Sequence, residues 1–372
     1  MDIILHLTRG CQLDCTYCYG GRKQDCAMSW DVARRAIDML FAAEPSNPPG
    51  QIRFFGGEPL LELPLLKRCV DYAKAQRERT GKPFRLGMTT NGLAVDDELA
   101  AYLKQESVEP TLSMDGVAEA QDACRRYAGG RSSFADTERA LSSLLRQFPN
   151  LTVCAVVSPA NVEHLPASLD YFLAQGVRRI VLNPDFFGEW DDPHLEAWRR
   201  GYECAAQQLV EEFRAGRPLH INVLSAKIIT HLKGGYEPCD CCDFGQREVA
   251  VAPSGNLYPC QRLVREDVGG FGLIGTVFSG RSAQSCRDLG SPREEPSPEC
   301  LGCSLRRRCR NWCSCVNHRL TGGFRHTGPL VCFHERMAIE LADRAASQLF
   351  AEKNETFLDA FYMLRESSPE WV

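Results

Sequence analysis

Apolar positions along the first 216 residues follow two alternating rhythms. Short runs that are apolar throughout or at every second position read as strands: IILHLT (3–8), QIRFFGG (51–57), FRLGMTTNG (84–92), EPTLSMDG (109–116), LTVCAVVS (151–158) and VRRIVLNP (177–184). Between them lie stretches with apolar residues three and four apart, which predict amphipathic helices. These are SWDVARRAIDMLFAAE (29–44), LPLLKRCVDYAKAQRERTG (63–81), DDELAAYLKQ (96–105), SFADTERALSSLLRQFP (133–149), VEHLPASLDYFLAQG (162–176) and PHLEAWRRGYECAAQQLVEEFRAG (193–216). Ser29 stands as the N-cap of the first helix and Gly81 as the stop of the second.

Six strand–helix units in succession argue for an α/β fold with a parallel sheet and right-handed crossovers. The count is two short of a closed eight-stranded barrel, so a partial (β/α)6 TIM-like barrel and an open doubly wound sheet both fit. Either one places chemistry at the carboxyl ends of the strands. Cys11 to Cys18, GGEP, TTNG and SMDG all follow strand runs. From Tyr236 the periodicity weakens and cysteines crowd in, up to the helical pattern FHERMAIELADRAASQLFAE (333–352). The expected domains are therefore a barrel over 1–235, a cysteine-rich domain over 236–350, with SPREEPSPE as a linker within it, and a C-terminal helix and tail over 351–372.

Composition changes this picture in one respect. With 44% hydrophobic and 24% charged residues the chain is ordinary, and a net charge of −5 offers no overall attraction to nucleic acid. The first residues have no basic segment or cleavage site of a signal peptide, and no apolar run reaches membrane-spanning length. A cytoplasmic enzyme without nucleic-acid or membrane partners is the expectation. The unusual figure is 19 cysteines, an odd number. In a reducing compartment they point to metal or clusters rather than disulfides.

Three of them, Cys11, Cys15 and Cys18, form CxxxCxxC in RGCQLDCTYCYGG. Three thiolates can bind three irons of a [4Fe–4S] cube and leave the fourth open for chemistry; a zinc loop is the alternative reading. The pattern, with Tyr17 before the last cysteine, resembles the radical SAM (S-adenosylmethionine) superfamily. The resemblance implies that SAM completes the open iron and that Tyr17 lies beside the adenine. FFGGEP is similar to the family's glycine-rich motif, implying SAM contacts at Gly56, Gly57 and Glu58. TTNG matches the third strand end through Asn91. SMDG resembles the fourth-strand motif through Ser113 and Asp115, and Arg125 matches an arginine that reaches the SAM carboxylate. The family's local pattern usually begins His-Asp, where this chain has Gln121-Asp122.

The later cysteines resemble the SPASM extension of that superfamily almost spacing for spacing. The resemblance implies two auxiliary [4Fe–4S] clusters, hence three clusters in all. One would use Cys300, Cys303, Cys309 and Cys332. The other would use Cys242, Cys260, Cys313 and either Cys239 or Cys241, with Cys239 favoured by its CxxC spacing to Cys242. A pair of zinc sites is the alternative. Cys26, Cys69, Cys124, Cys154, Cys204, Cys286, Cys315 and the unused member of the Cys239/Cys241 pair remain, most of them read as small core residues. Arg306, Arg307, Arg308 and Arg310 form a basic stretch read as a solvated loop, the alternative being a contact for an acidic peptide. His231, His326 and His334 read as ordinary polar or capping histidines rather than ligands.

The same resemblance implies reductive cleavage of SAM to a deoxyadenosyl radical that oxidatively modifies a ribosomally made precursor peptide, forming a thioether or a C–C or C–O link. Alternatives are sulfatase-maturase-like oxidation of Cys or Ser, a small-molecule substrate, or a non-enzymatic metal-binding scaffold. Sulfatase maturases carry an Asp base directly after the second SPASM cysteine. Gln261 holds that catalytic position here and cannot take up a proton in that way. A flavodoxin- or ferredoxin-type electron donor is implied. With the triad starting at residue 11, leader recognition is expected to fall to a separate protein or to the core itself.

Overall fold

The structure is a computed structural model describing residues 1–44, 49–242, 244–282 and 298–362. Cys286, residues 291–297 of the expected linker and the terminal SSPEWV lie outside them. Among the described residues no helix is long and apolar enough to cross a membrane.

The fold is mixed α/β, and each expected strand and helix is present. In chain order these are β1 (Asp2–Thr8), α1 (Trp30–Ala42), β2 (Gly50–Gly56), α2 (Leu63–Thr80), β3 (Phe84–Thr90), α3 (Asp97–Gln105), β4 (Val108–Ser113), α4 (Ala118–Cys124) and α5 (Phe134–Gln147). Then follow β5 (Thr152–Val157), α6 (Leu165–Ala174), β6 (Arg179–Pro184), α7 (Asp192–Arg214), β7 (His220–Ile221) and α8 (Asn222–Lys233). Later come β8 (Glu248–Val251), β9 (Asn256–Tyr258), α9 (Gln261–Val264), β10 (Gly275–Thr276) and β11 (Gly280–Arg281), and four further helices over Pro298–Leu301, Ser314–Thr321, Pro329–Ala351 and Glu355–Tyr362.

Packing divides the chain into two compact units. The first comprises Met1–Ser113, Arg125–Phe148 and Asp243–Glu294. Its strands run β11-β10-β9-β8-β1-β2-β3-β4, parallel from β8 through β4 and antiparallel from β8 out to β11. β1 lies between two partners and is buried from Ile3 to Thr8, as its unbroken apolar run predicts. On β2, buried Ile52 and Phe54 alternate with half-exposed Arg53 and Phe55. Helix α1 closes one face with Val32, Ala36, Ile37 and Leu40. Its cap is Ser29, whose side chain accepts from the Val32 N–H at 3.3 Å. Gly81 ends α2 at φ +69°, a conformation open to glycine.

The second unit comprises Met114–Cys124, Pro149–Cys242 and Glu295–Val372. Parallel strands β5, β6 and β7 lie side by side. The long helix Pro329–Ala351 packs on α7 and α8, covering Trp198 and Tyr202, while Phe213 lies against Phe357 and Phe361. Four of its described helices were not anticipated: α4, α8 and those over Pro298–Leu301 and Ser314–Thr321. Helix α4 is a seven-residue element, and Ile221, which stands before α8, offers no side-chain cap to announce it. Cys69 is core, at 0% exposed, but Cys154 is not. It lies on the half-exposed face of β5 and accepts from Asn183 Nδ2 at 3.0 Å, because alternation, not hydrophobicity, decides which face a strand residue takes.

Replacing the α1 cap tests the first unit. Ser29→Ala should lower unfolding free energy by about 1 kcal/mol, read as a shift in urea midpoint at constant slope; an unchanged midpoint would mean the cap contributes nothing.

Candidate cluster and SAM site

Because β1 to β4 are parallel, their last residues share one edge of the first unit, and the loops leaving that edge carry Cys11 to Cys18, Gly56 to Glu58, Asn91 and Ser113. The cysteine loop is anchored by backbone. Asp14 N–H donates to Arg126 O at 2.9 Å, Ala128 N–H to Gln12 O at 3.1 Å, and Leu13 bridges Tyr127. Cys18 N–H turns back on Cys15 O at 3.1 Å. Cys11 and Cys15 are half-buried and Cys18 is exposed. Lys23, which the sequence reading did not single out, donates to Cys18 Sγ at 2.8 Å. Burial works to lower the Lys23 pKa, but Cys18 and then Cys11 and Cys15 hold it above its ordinary value.

The other SAM candidates are drawn to this loop. Arg125 Nη1 donates to Tyr17 Oη at 3.0 Å, joining two residues that lie far apart in sequence. Asn91 Nδ2 approaches Cys11 Sγ at 3.7 Å and Gln12 Oε1 at 3.3 Å. Ser113 is the half-buried last residue of β4.

Gly56 and Gly57 are held by close approach. Gly57 N–H donates to Thr8 O at 2.8 Å, and a Cβ on Gly57 would stand 2.0 Å from the Gly10 carbonyl oxygen. Glu58 is 1% exposed. Its N–H donates to Gly10 O at 2.8 Å, and its carboxylate accepts from Leu60 N–H, Thr90 Oγ1 and Asn91 N–H at 3.1, 2.8 and 2.7 Å. Burial pushes this carboxyl up to about 7, against those hydrogen bonds, which pull it down. In the second unit, Asp115 accepts from Val156 N–H at 3.0 Å and its own N–H donates to Gln121 Oε1 at 2.9 Å. The Gln121 side chain, 0% exposed, thus holds the turn after β4.

Gln261 is the half-buried first residue of α9, directly after Cys260. In the second unit Cys239 is exposed, Cys241, Cys242 and Cys313 are half-buried, and Cys313 and Cys315 sulfurs lie 3.8 Å apart. Cys300 is buried, while Cys303, Cys309 and Cys332 are half-buried. Burial, then Glu335, pushes the Cys309 thiol up, with Cys332 and Cys300 adding and Lys227 opposing. Burial and then Cys300 raise Cys332, with Cys303 adding. Cys332 is thus within electrostatic reach of Cys300, Cys303 and Cys309, and Cys309 of Cys300 as well. Among the described residues no three His, Cys, Asp or Glu groups converge on a single ion; a cube spreads its thiolates, each on its own iron.

In the basic stretch Arg307 and Arg310 are exposed, but Arg308 departs from the solvated loop expected. It is largely buried and pairs with Asp343 through both guanidinium nitrogens, at 2.7 and 2.5 Å. His334 is enclosed by Phe186, Trp198 and Tyr202, and His231 is exposed near Asp343.

Comparisons with known proteins agree with this geometry. Residues 5–172 match the radical SAM superfamily. An uncharacterised protein of Methanocaldococcus jannaschii is 30% identical over 178 residues, 48% of this chain and 60% of that protein, so the chain spans less than two thirds of that relative. The serine-type anaerobic sulfatase-maturating enzyme of Klebsiella aerogenes is 25% identical, covering 84% of this chain and 80% of its own. The PqqA peptide cyclase of Xanthomonas axonopodis pv. citri is 26% identical, covering 94% and 91%. Among solved structures, anSMEcpe with bound AdoMet and Cp18Cys peptide superposes with a TM-score of 0.77 at 19% identity, covering 93% of this chain and 98% of that one, a likeness of fold.

Two measurements follow from the packing of this edge. Gly57→Ala should lower the melting temperature and the iron retained after anaerobic reconstitution, whereas Gly81→Ala, with open space around it, should cost about 1 kcal/mol and keep its iron. Equal iron in both would overturn the close-approach argument. Glu58 holds its proton more tightly folded than unfolded, so its contribution is complete below its ordinary pKa and lost as pH rises through about 7. Stability relative to Glu58→Gln should fall from about pH 5 to about pH 8, by roughly 1.4 kcal/mol per unit of pKa difference. A pH-independent difference would exclude a buried neutral acid.

Proposed function

We propose that this chain, whose residues 5–172 match the radical SAM superfamily, is an enzyme that oxidatively modifies a ribosomally made peptide. The observation that carries the reading is the loop at the end of β1, where three thiols sit beside the Tyr17–Arg125 contact and the Gly56–Glu58 backbone. Cys11, Cys15 and Cys18 would hold the SAM-binding [4Fe–4S] cluster. Cys300, Cys303, Cys309 and Cys332 would hold an auxiliary one, and the spacing of Cys242, Cys260 and Cys313 carries the proposal of a third. When bound, the reduced cluster and SAM supply a deoxyadenosyl radical that removes a hydrogen atom from the substrate.

The protein's part is placement. Tyr17, Asn91, Ser113 and Arg125 are proposed to contact SAM, with the backbone of Gly56 and Gly57 offering close approach. Glu58 and Asp115 are given positioning roles, since their carboxylates already accept from backbone N–H groups. Hydrogen-atom removal asks for no titrating base, which fits Gln261 at a position where a base would otherwise stand. The peptide substrate is supported by likeness to a PqqA peptide cyclase over 94% of the chain. An electron donor of flavodoxin or ferredoxin type and, for leader binding, a separate protein or the core itself complete the proposal.

Likeness to sulfatase-maturating enzymes over 84% of the chain favours a second reading, oxidation of Cys or Ser in a protein substrate. Gln261 weighs against it.

Anaerobic incubation with SAM and a reductant should yield deoxyadenosine, and Cys15→Ala should abolish it; turnover surviving that change would remove the triad from the mechanism. Intact mass of the short peptide encoded beside this gene, co-expressed with the enzyme, separates the readings. Loss of two hydrogens with loss of an alkylatable thiol means a thioether, and the same loss with the thiol retained means a C–C or C–O link. An unmodified peptide would turn the substrate assignment toward another protein or a small molecule.

A further inference from the structure

Lys227 lies within α8 at 1% exposed, and Glu335 on the Pro329–Ala351 helix at 3%. Their charges meet at 2.5 Å. A buried pair of this kind is weak as a source of stability, because desolvation offsets most of the attraction. Its remaining contacts give it another use. Lys227 Nζ donates to the Arg308 carbonyl at 2.8 Å and to Tyr236 Oη at 3.3 Å. Glu335 Oε2 accepts from the Arg310 N–H at 2.7 Å. The ammonium therefore holds the peptide carbonyl before Cys309, and the carboxylate holds the N–H after it. Arg308 Nη2 returns a bond to the Lys227 carbonyl at 2.9 Å while its guanidinium pairs with Asp343. A short 3-10 turn, Arg306–Arg308, is thus fastened to two helices immediately before the cysteine.

A part-buried backbone carbonyl and N–H need partners, and apolar side chains could not provide them. We propose that the Lys227–Glu335 pair is a positioning device for Cys309, fixing the backbone on both sides of that thiolate for one corner of an iron–sulfur cluster and setting the field around it. This rests on the assignment of Cys309 as a cluster ligand made above. The pair is not a ligand itself; it acts through the chain it grips.

The test uses the full chain, reconstituted anaerobically with iron and sulfide, and reads iron per chain and cluster midpoint potentials by spectroscopically monitored titration. Cys309→Ser is the reference and should lose about four irons per chain. The double variant K227M/E335L leaves no unpaired buried charge; it should fold and lose the same iron. Glu335→Gln keeps an acceptor for the Arg310 N–H but removes a negative charge, so it should retain the iron and raise the midpoint of that cluster alone. Iron loss in Cys309→Ser with full iron in K227M/E335L overturns the positioning role, as does an unmoved midpoint in Glu335→Gln. Should K227M/E335L fail to fold, the midpoint of Glu335→Gln decides the matter by itself. Full iron in Cys309→Ser overturns the ligand assignment, and the positioning role with it.

Discussion

The passage of Gly57 against the carbonyl of Gly10 sets the dimensions of the first unit's working edge. A strand end and a loop come so near that no Cβ fits between them, and the bonds Gly57 N–H to Thr8 O and Glu58 N–H to Gly10 O hold them there. The loop so pinned is the one that carries Cys11, and its far side is bound by backbone to residues 126–128. Three thiols on a free loop would sample many separations. Held from both sides by main-chain bonds, they keep one, and the entropy of ordering has been met in folding rather than at binding.

Buried carboxylates serve as joints in both units, on different electrostatic terms. Among the described residues no cation lies within hydrogen-bond reach of Glu58; three donors bind it, and burial still lifts it to about 7. It spans the ends of β2 and β3, tying the glycine turn to Asn91. Burial alone would raise Glu335, but His334 and then Lys227 against it hold it well below the ordinary carboxylate range. In each case one oxygen accepts from a main-chain N–H at or beside a residue assigned to a site, Asn91 for Glu58 and Arg310, next to Cys309, for Glu335. The protein thus uses carboxylates where a loop must be held without regular secondary structure.

What could be read from sequence is what is local in sequence. Strand and helix positions follow from periodicities of two and 3.6, so Ser29, Gly81 and the alternation on β2 were visible. The cysteine triad is visible because its spacing lies within one loop. Arg125 with Tyr17 was suggested by a motif, and only the fold brings their side chains to 3.0 Å. The Lys227–Glu335 pair spans 108 residues, and neither residue stands out in its own helix. Gln121 read as a departure from a pattern, yet its amide oxygen holds the Asp115 N–H. Cys154 was misplaced because a cysteine in an apolar strand looks like core until the neighbouring strand shows which face it takes.

The two thiol sets also differ in exposure, and the difference bears on what each can do. Cys18 is exposed, with an ammonium on its sulfur and an arginine–tyrosine contact on the same loop. A site of that kind has room and positive charge for a ligand bearing a carboxylate. Cys300 is buried, Cys309 is raised first by burial, and the backbone at Cys309 is gripped from both sides. On the proposed reading such a set would supply four thiolates to four irons and leave none open, which would suit storage or passage of electrons. On the proposed reading, then, the openness of the first set and the closure of the second are two answers to one question, whether the site must admit a reacting molecule.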